Sequence, residues 1–88
     1  MSQIPVKFRV AQVIFQKEGL NNQEIFEILK KEYPLDRSVH EKGVQEYLQS
    51  LKAVGLIELT DASPDKHGKL KQYYKINDFG ASRMKYIG

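Results

Sequence analysis

Apolar residues recur with a helical period over much of the chain, most clearly between residues 38 and 55. In this segment they fall three or four positions apart, which places them on the side of a helix that faces a core. A step of about 100° per residue puts long polar side chains on the opposite side. The apolar side carries Val44, Tyr47, Leu48 and Leu51, and the polar side carries Lys42, Gln45, Glu46 and Gln49. The pattern predicts an amphipathic helix over residues 39–54 with an outer face that can form hydrogen bonds.

Signals for the start and the end of a helix flank this amphipathic segment. Ser38 and Glu41 have the Ser-x-x-Glu spacing of a capping box, in which each side chain accepts a hydrogen bond from the backbone amide of the other residue. Gly55 follows the last apolar position, and glycine readily adopts the left-handed conformation that ends a helix. We therefore predict that Ser38 caps the helix and that Gly55 terminates it.

The first helix of the chain is predicted from Val6 to Lys17, with Pro5 before it and Gly19 after it. Its apolar residues occupy two sides. One side carries Val6, Val10, Val13 and Ile14, and the other carries Phe8, Ala11 and Phe15. Since a helix that is apolar all round is buried on both sides, we expect another subunit or the chain's own last helix to cover the phenylalanine side.

A second helix is predicted to start at Asn21, which can cap it because Glu24 follows three residues later. Apolar residues at helical spacing continue to Tyr33, and Pro34 blocks any extension beyond that residue. Only residues 34–37 then separate this helix from the amphipathic helix described above. Two capped helices joined by such a short polar turn are typical of a helix-turn-helix arrangement.

The apolar period changes after the amphipathic helix, where apolar and polar residues begin to alternate as they do in a strand. A first strand is predicted over residues 56–60, with Ile57 and Leu59 on one side. A second strand, rich in aromatic and branched residues, is predicted over residues 71–76. Residues 61–70 between them contain many turn-forming residues and predict a loop of about ten residues. The segment is therefore expected to form a long-looped β-hairpin.

A last helix is predicted over residues 78–87, with Asn77 as its cap. No internal repeat or low-complexity segment divides the chain. The expected fold is therefore α+β, with a three-helix core, a two-stranded hairpin and a C-terminal helix in a single domain over residues 1–88.

Composition limits the chemistry that the chain can carry. Its 88 residues suit one small domain, and a net charge of +3 is compatible with a phosphate backbone as partner. The absence of cysteine excludes disulfides and thiol catalysis and fits a reducing cytoplasm. No apolar run approaches the roughly 20 residues that span a bilayer. We therefore predict a cytoplasmic protein that does not insert into membranes.

Catalytic, metal and cofactor sites are not indicated. His40 and His67 are the only histidines, and neither has a cluster of ligand residues near it in the sequence. The glycines lack the spacing of a phosphate-binding loop. No serine has an identifiable set of histidine and acid partners. The sequence therefore predicts a binding protein rather than an enzyme, with no metal and no cofactor.

The element order resembles the winged helix-turn-helix superfamily of DNA-binding proteins. The residues that resemble the core of many bacterial and archaeal regulators are Leu20, Glu24, Ile25, Leu29, Tyr33, Pro34, Ser38, Val44, Leu48, Leu51, Gly55, Leu56 and Ile57. The segment Tyr74-x-Ile76-Asn77-x-x-Gly80-x-x-x-Met84 is similar to the end of the PadR and MarR families. Here Ile76 stands where leucine is common, and Asn77 stands where threonine caps the helix. The ferric-uptake-regulator family has a related DNA-binding half, but its metal-sensing half has no counterpart in this sequence.

The resemblance implies that residues 39–54 form a recognition helix in the major groove and that residues 61–71 form a wing on the DNA backbone. Double-stranded DNA would be the partner, and transcription regulation the function. Lysines on the wing can neutralise phosphates, and the amide and amine groups of the helix can contact base edges. The predicted DNA-binding residues are Arg37, Ser38, Lys42, Gln45, Glu46, Gln49, Lys66, His67, Lys69 and Lys71.

In the PadR and MarR families the third strand leads into a dimerising helix, so the resemblance also implies a homodimer. The predicted interface consists of Phe8, Phe15, Phe79, Met84 and Ile87. The phenylalanine side of the first helix is apolar without an obvious cover within a chain of 88 residues, which points in the same direction.

Two acidic residues keep a second function open. Glu46 lies on the predicted reading face and Glu41 lies close by, so residues 36–53 are neutral overall. A carboxylate at such a place usually repels phosphate. The alternative is a winged helix that serves as a protein-protein interaction module or an adaptor subunit. The lysines of the wing would then only keep a long hairpin soluble and its edges unpaired.

Overall fold

The computed structural model describes residues 4–17 and 19–87, with side chains as far as residue 84. Within these ranges the chain forms four helices and one antiparallel hairpin. Their bounds, in chain order, are α1 Val6–Gln16, α2 Asn22–Glu32, α3 Glu41–Ala53, β1 Ile57–Pro64, β2 Leu70–Ile76 and α4 Asp78–Ile87. Three helices, a hairpin and a last helix form the α+β winged-helix arrangement that the sequence predicted.

The predicted boundary between α1 and α2 is confirmed. Gly19 has a φ of +80°, a left-handed conformation that favours glycine over residues with a side chain. The Asn21 side chain accepts from the amide of Glu24 at 2.9 Å, and the Glu24 carboxylate accepts from the amide of Asn21 at 3.1 Å. This reciprocal capping box fixes the first turn of α2. The helix ends at Glu32, shortly before Pro34.

One core joins α1, α2 and α3 to the base of the hairpin. Its most deeply buried side chains, each at most 1% exposed, are Val10, Ile14, Ile25, Leu29, Val44, Leu48, Leu51, Ile57 and Tyr74. Full burial of a large aliphatic side chain contributes about 1.5–3 kcal/mol. The core therefore dominates the stability of a domain this small, and it includes the base of the hairpin through Ile57 and Tyr74.

An ion pair at the edge of the core fastens α1 to the end of α2. The Arg9 guanidinium donates to both carboxylate oxygens of Glu32, at 2.7 Å from Nε and 2.8 Å from Nη2. Such bidentate, charge-assisted pairs are stronger than ordinary hydrogen bonds. Hydrogen bonding to Glu32 raises the pKa of Arg9, and the same bond lowers the pKa of Glu32.

The two sides predicted for α1 differ in the structure. Ala11, which was grouped with the phenylalanines, is fully buried in the chain's own core. A step of about 100° per residue leaves Ala11 within about 60° of Ile14, and the core stripe includes it. Phe8 and Phe15 remain 43% and 41% exposed. The chain's own last helix therefore does not cover them completely.

The hairpin is longer and its turn shorter than the sequence predicted. β1 pairs with β2 from Ile57 opposite Ile76 as far as Pro64 opposite Leu70, and residues 65–69 form the turn. The register shifts once, between Leu59 and Asp61. This bulge lets the pairing resume beyond the predicted end of the strand. A proline is tolerated at the end of an edge strand, so Pro64 does not stop the pairing earlier.

The start of α4 packs closely against the base of the hairpin. The Asn77 side chain accepts from the amide of Gly80 at 2.7 Å, which confirms the predicted cap. A Cβ atom on Gly80 would lie 2.1 Å from the carbonyl oxygen of Leu56. Met84, one turn further on, is 3% exposed in the chain's own core. Its predicted place at a dimer interface is thus corrected, because α4 directs this side chain inward.

Candidate nucleic-acid interface

α3 presents an exposed polar face opposite the core. Lys42, Glu46 and Gln49 are four and three positions apart, so they lie on one side of the helix, and all three are exposed. Val44 and Leu48 on the other side are buried. This face carries one positive charge, one negative charge and one neutral amide. It can donate to and accept from a polar partner.

Gln45 is turned away from that face toward the hairpin. Its Nε2 donates to Oε1 of Gln72 at 2.7 Å, and the Tyr74 hydroxyl reaches the same oxygen at 3.4 Å. The contact is partly buried. Burial raises the pKa of Tyr74, and a hydrogen bond with Gln45 partly offsets this rise. The structure therefore places Gln45 against β2 and apart from the exposed side chains of α3.

The start of α3 differs from the predicted capping box. His40, and not Ser38, is the N-cap, and its Nδ1 accepts from the amide of Gly43 at 3.0 Å. The amide and the hydroxyl of Ser38 both donate to Oδ1 of Asp36, at 2.8 and 2.7 Å. Because Asp36 binds Ser38 in the preceding turn, the helix begins at Glu41 instead of residue 39.

Ser38 supports the turn before α3. Its Oγ donates to Asp36 and accepts from the Tyr47 hydroxyl at 2.8 Å. The hydrogen bonds from Ser38, with the hydroxyl as the larger cause, lower the pKa of Asp36. Both hydrogen-bonding functions of the hydroxyl are used within the chain. Arg37, between these residues, is exposed.

Asp65 organises the turn at the tip of the hairpin. Its Oδ1 accepts from the amides of His67 and Lys69 at 2.8 and 2.9 Å, and its Oδ2 accepts from the Gln23 side chain at 3.1 Å. The hydrogen bond from Gln23 is the largest cause that lowers the pKa of Asp65. Lys66, His67 and Lys69 are exposed around this fixed carboxylate. The tip therefore offers positive charge on a defined backbone.

An ion pair brings the tip of the hairpin beside the first turn of α3. Lys69 Nζ lies 3.6 Å from a carboxylate oxygen of Glu41, with side chains 66% and 72% exposed. Exposed pairs of this kind contribute about 0–1 kcal/mol. The ion pair therefore shows that the hairpin tip lies close to α3 but does little to hold it there. Lys69 can exchange Glu41 for another anion.

A cleft of about 770 Å³ lies between α2, the start of α3 and the hairpin turn. Of the predicted DNA-binding residues, it brings together Lys42, Gln45, His67 and Lys69. Three carboxylates, Glu27, Glu41 and Asp65, line the same cleft. Its charge is therefore mixed.

The remaining predicted residues lie elsewhere on the surface. Among the described side chains that line the cleft, Arg37, Glu46, Gln49 and Lys66 do not occur. Lys71 is half-buried and lines a second groove, beside the end of α1 and the start of α2. The predicted set thus divides between the cleft, the turn before α3 that holds Arg37 and Ser38, the outer face of α3, the hairpin tip and this second groove.

Three residues that the sequence analysis did not select connect the hairpin to the helices. Asn22 and Gln23 on α2 and Gln72 on β2 all form hydrogen bonds between these elements. Asn22 and Gln23 directly follow Asn21, the predicted cap of α2, and that cap indicates only that a helix starts there. Their partners lie 42 to 50 residues away in the sequence, so local patterns give no indication of these contacts.

The predicted dimer residues have different environments. Phe8 and Phe15 lie two turns apart on one side of α1 and are partly exposed, and Phe79 on α4 is 51% exposed. The Arg83 guanidinium lies 5.2 Å from the centre of the Phe79 ring. The side chain of Ile87 lies outside the described residues. Three exposed aromatic rings on α1 and α4 therefore remain from the predicted set.

Neither a metal site nor a membrane span is found in the described part of the chain. No group of three potential ligand side chains is arranged to hold a metal ion among residues 4–17 and 19–84. None of the helices that the structure describes combines the length and apolar character needed to cross a bilayer.

The fold is shared with solved structures of transcriptional regulators. A PadR-like transcription factor from Bacteroides fragilis has a TM-score of 0.73 at 23% identity, over 93% of this chain and 75% of that one. A PadR-like transcriptional regulator from Bacillus cereus has a TM-score of 0.70 at 21% identity, over 92% and 75%. A Streptococcus transcriptional regulator has a TM-score of 0.65 at 18% identity, with the same coverage. No protein-family model and no curated protein matches the chain. At such identities the similarity shows a common winged-helix fold.

Proposed function

We propose that this chain is a cytoplasmic DNA-binding transcriptional regulator and not an enzyme. The observation that carries the proposal is the position of the exposed face of α3 beside the basic tip of the hairpin, with Lys69 next to Glu41. Three proteins with the same fold are described as transcriptional regulators or transcription factors. An α-helix fits the major groove, and lysines on an adjacent wing suit the phosphate backbone.

The described side chains suggest a division of roles on DNA. Lys42 and Gln49 on the outer face of α3 are placed to contact base edges, because an amine and an amide supply the donors that such contacts need. Arg37, Lys66 and Lys69 are placed to contact phosphates. Glu46 lies on the same face as Lys42. Its carboxylate would accept a hydrogen bond from the amino group of a cytosine that lies opposite, and it would repel the phosphates of the DNA backbone otherwise.

Binding of fluorescent duplexes, followed by anisotropy over a series of salt concentrations, tests this function. We expect affinity for a random-sequence duplex pool to fall steeply with salt, since phosphate contacts release counterions. Lys42→Ala, which removes a proposed base contact, should weaken binding to a selected site more than binding to the pool. Lys66→Ala, which removes a proposed phosphate contact, should weaken binding to the pool about threefold to tenfold and reduce the salt slope by about one. Lys31→Ala, an exposed lysine in the last turn of α2, is the matched control and should leave both quantities unchanged. Absence of binding even at low salt would contradict the proposed function.

We also propose that the chain acts as a homodimer that covers the exposed rings of Phe8 and Phe15. Large aromatic side chains bury much apolar area, and such residues are common in the cores of interfaces. The double variant Phe8→Ser and Phe15→Ser should therefore sediment with the mass of a monomer while the parent sediments as a dimer. Leu35→Ser is the control, since Leu35 is 95% exposed in the connection between α2 and α3. A monomeric parent, or a variant with unchanged mass, would exclude this interface.

A further inference from the structure

The hairpin is attached to the rest of the molecule mainly through one edge of β2. A two-stranded hairpin by itself is at best marginally stable in water. Here β2 contacts α1, α2 and α4, while β1 contacts α3 and is mostly exposed. Tyr74 anchors β2 in the core, and two groups of hydrogen bonds connect the rest of the hairpin to the helices.

The first group of contacts joins β2 to the start of α2. The amide of Gln72 donates to the side chain of Asn22 at 2.8 Å, and the Asn22 side chain donates to the carbonyl of Leu70 at 3.4 Å. The amide of Tyr74 donates to the carbonyl of Leu20 at 3.2 Å. Asn21 and Tyr73 form an isolated antiparallel bridge between these contacts. The segment before α2 thus acts as a short third strand beside β2.

The second group joins the hairpin to the side chains of α3 and α2. Gln45 in α3 donates to Gln72 at 2.7 Å, and Tyr74, which is 1% exposed, donates to the same Gln72 oxygen at 3.4 Å. Gln23 holds Asp65 at the turn. Gln72 is therefore the residue at which α2, α3 and the hairpin meet, through its backbone on one side and its side chain on the other.

We propose that Gln45 and Gln72 are positioning residues that lock the hairpin onto α3, so that the tip and the outer face of α3 contact DNA as one rigid surface. The proposal rests on the proposed DNA-binding function. It assigns Gln45 a role different from the base contact that its place in the sequence predicted. Its donor is directed at Gln72 in a partly buried contact. Turning the Gln45 amide away toward a base would break that bond and leave the Gln72 oxygen with only the longer contact to Tyr74.

Amide hydrogen exchange without DNA tests the locking step. In Gln45→Ala, the amides of Gln72 and Tyr74, which bond to α2 and Leu20, should exchange about tenfold faster because the hairpin opens as a unit. The amide of Asp65, which bonds within the turn to Lys69 at 2.7 Å, should change less than about twofold.

Gln49→Ala is the matched control for this experiment. It makes the same substitution one turn further along α3, and no hydrogen bond between Gln49 and the hairpin occurs among the described residues. It should leave the exchange of all three reporter amides unchanged. Equal exchange in Gln45→Ala and Gln49→Ala would overturn the proposal. Unchanged exchange at the core amide of Leu48 in both variants establishes that neither has lost its global fold.

A double-mutant cycle on DNA tests the consequence for binding. Lys66→Ala at the tip should weaken DNA binding about threefold to tenfold in the parent and less than about twofold in Gln45→Ala. The effect is smaller in the variant because a hairpin tip that is no longer locked contributes little to DNA affinity. If Gln45 reads a base instead, the two effects will be additive, and the proposal fails. If the parent binds no DNA, the proposed function fails, while the exchange experiment still decides whether Gln45 locks the hairpin.

Discussion

The core and the hairpin of this protein meet at Tyr74 but are stabilised in different ways. Around Ile14 and Leu48, α1, α2 and α3 bury apolar side chains completely. Of the eight described residues of β1, only Ile57 is buried. Beyond its base, where Ile57 and Tyr74 are buried, the hairpin is connected to the helices by hydrogen bonds that involve side chains, with Gln72 in the middle of them.

This difference separates what makes the protein fold from what places its binding surface. Burial is non-directional and scales with apolar area, so the core stabilises the domain without fixing the position of the hairpin tip. Hydrogen bonds are directional, but each contributes only about 0.5–1.5 kcal/mol net. We therefore expect core substitutions to change global stability most. Substitutions in the hairpin should change its position at little cost to the fold.

The largest effect is expected from Leu48→Ala. Leu48 is fully buried in the centre of α3, and the substitution leaves a cavity among α1, α2 and α3. Large-to-small substitutions of this kind lower the free energy of unfolding by about 2–5 kcal/mol. Since small domains have about 5–15 kcal/mol in total, urea denaturation should show a midpoint that is clearly lower or a protein that is partly unfolded.

The exposed residue Leu35 provides the comparison for this substitution. It is 95% exposed, so Leu35→Ala should change the free energy of unfolding by less than about 0.5 kcal/mol. Similar losses in both variants would mean that the packing described for α3 does not stabilise the domain.

The core could be predicted from the sequence because local signals and burial agree there. The capping box of Asn21 and Glu24 and the left-handed glycines 19 and 55 set the helix ends as predicted. The apolar period of α3 identified Val44, Leu48 and Leu51, which are buried, and Tyr47, which is partly buried. Ala11 was grouped with Phe8 and Phe15, but it alone of the three is fully buried, because it lies at the edge of the stripe that faces the core.

The site could be predicted only in part, because its geometry depends on contacts between distant segments. Ser38 had the spacing of a cap, but Asp36 binds it, and His40 caps α3 instead. Because of the bulge after Leu59, the hairpin pairs as far as Pro64, beyond residue 60, where the alternation of apolar and polar residues ends. Gln45 lay on the predicted polar side, yet a partner 27 residues later turns it inward. The periodicity and capping signals of the sequence do not indicate which of these hydrogen-bond partners a side chain will take.

An intermediate effect is expected where the core and the hairpin join, from Gly80→Ala. A Cβ atom there would lie 2.1 Å from the carbonyl oxygen of Leu56 and 2.7 Å from the Ile76 side chain. The start of α4 would have to move away from the hairpin base, which should lower the free energy of unfolding by about 1–3 kcal/mol. Helix propensity acts in the opposite direction, by about 1 kcal/mol in favour of alanine. A lower melting temperature would therefore show that the close contact outweighs propensity.

Ser82→Ala is the control for this substitution because Ser82 is exposed on the same helix. It introduces the same residue without the contact to Leu56 and should leave the melting temperature unchanged or slightly raised. A stabilised Gly80→Ala variant would indicate that α4 can shift freely. The close approach of Gly80 to Leu56 would then not constrain the hairpin base.

The smallest effect on global stability is expected from protonation of Asp65, which should act on the hairpin tip alone. The hydrogen bond from Gln23 is the main cause that holds the pKa of Asp65 below its ordinary value of 3.8, with further contributions from the amides of His67 and Lys69. A lowered pKa in the folded state means that the contribution to stability is present above pH 3.8. It is lost as the pH falls through the lower, folded-state value. The amide resonances of His67 and Lys69 should therefore titrate together at a pH below 3.8.

Substitution of Asp65 separates this local step from acid unfolding of the whole domain. Asp65→Asn should abolish the titration of the His67 and Lys69 amides, while Asp61→Asn, a change at another carboxylate of the hairpin, should leave it in place. Other carboxylates with lowered pKa values, Glu32 among them, also lose contacts in acid, so the core serves as the reference. If the amide of Leu48 broadens at the same pH as the tip amides, the tip and the core unfold together. The tip would then be no more independent than any other part of the domain, and Gln23 and Asp65 would contribute to folding rather than to the placement of the wing.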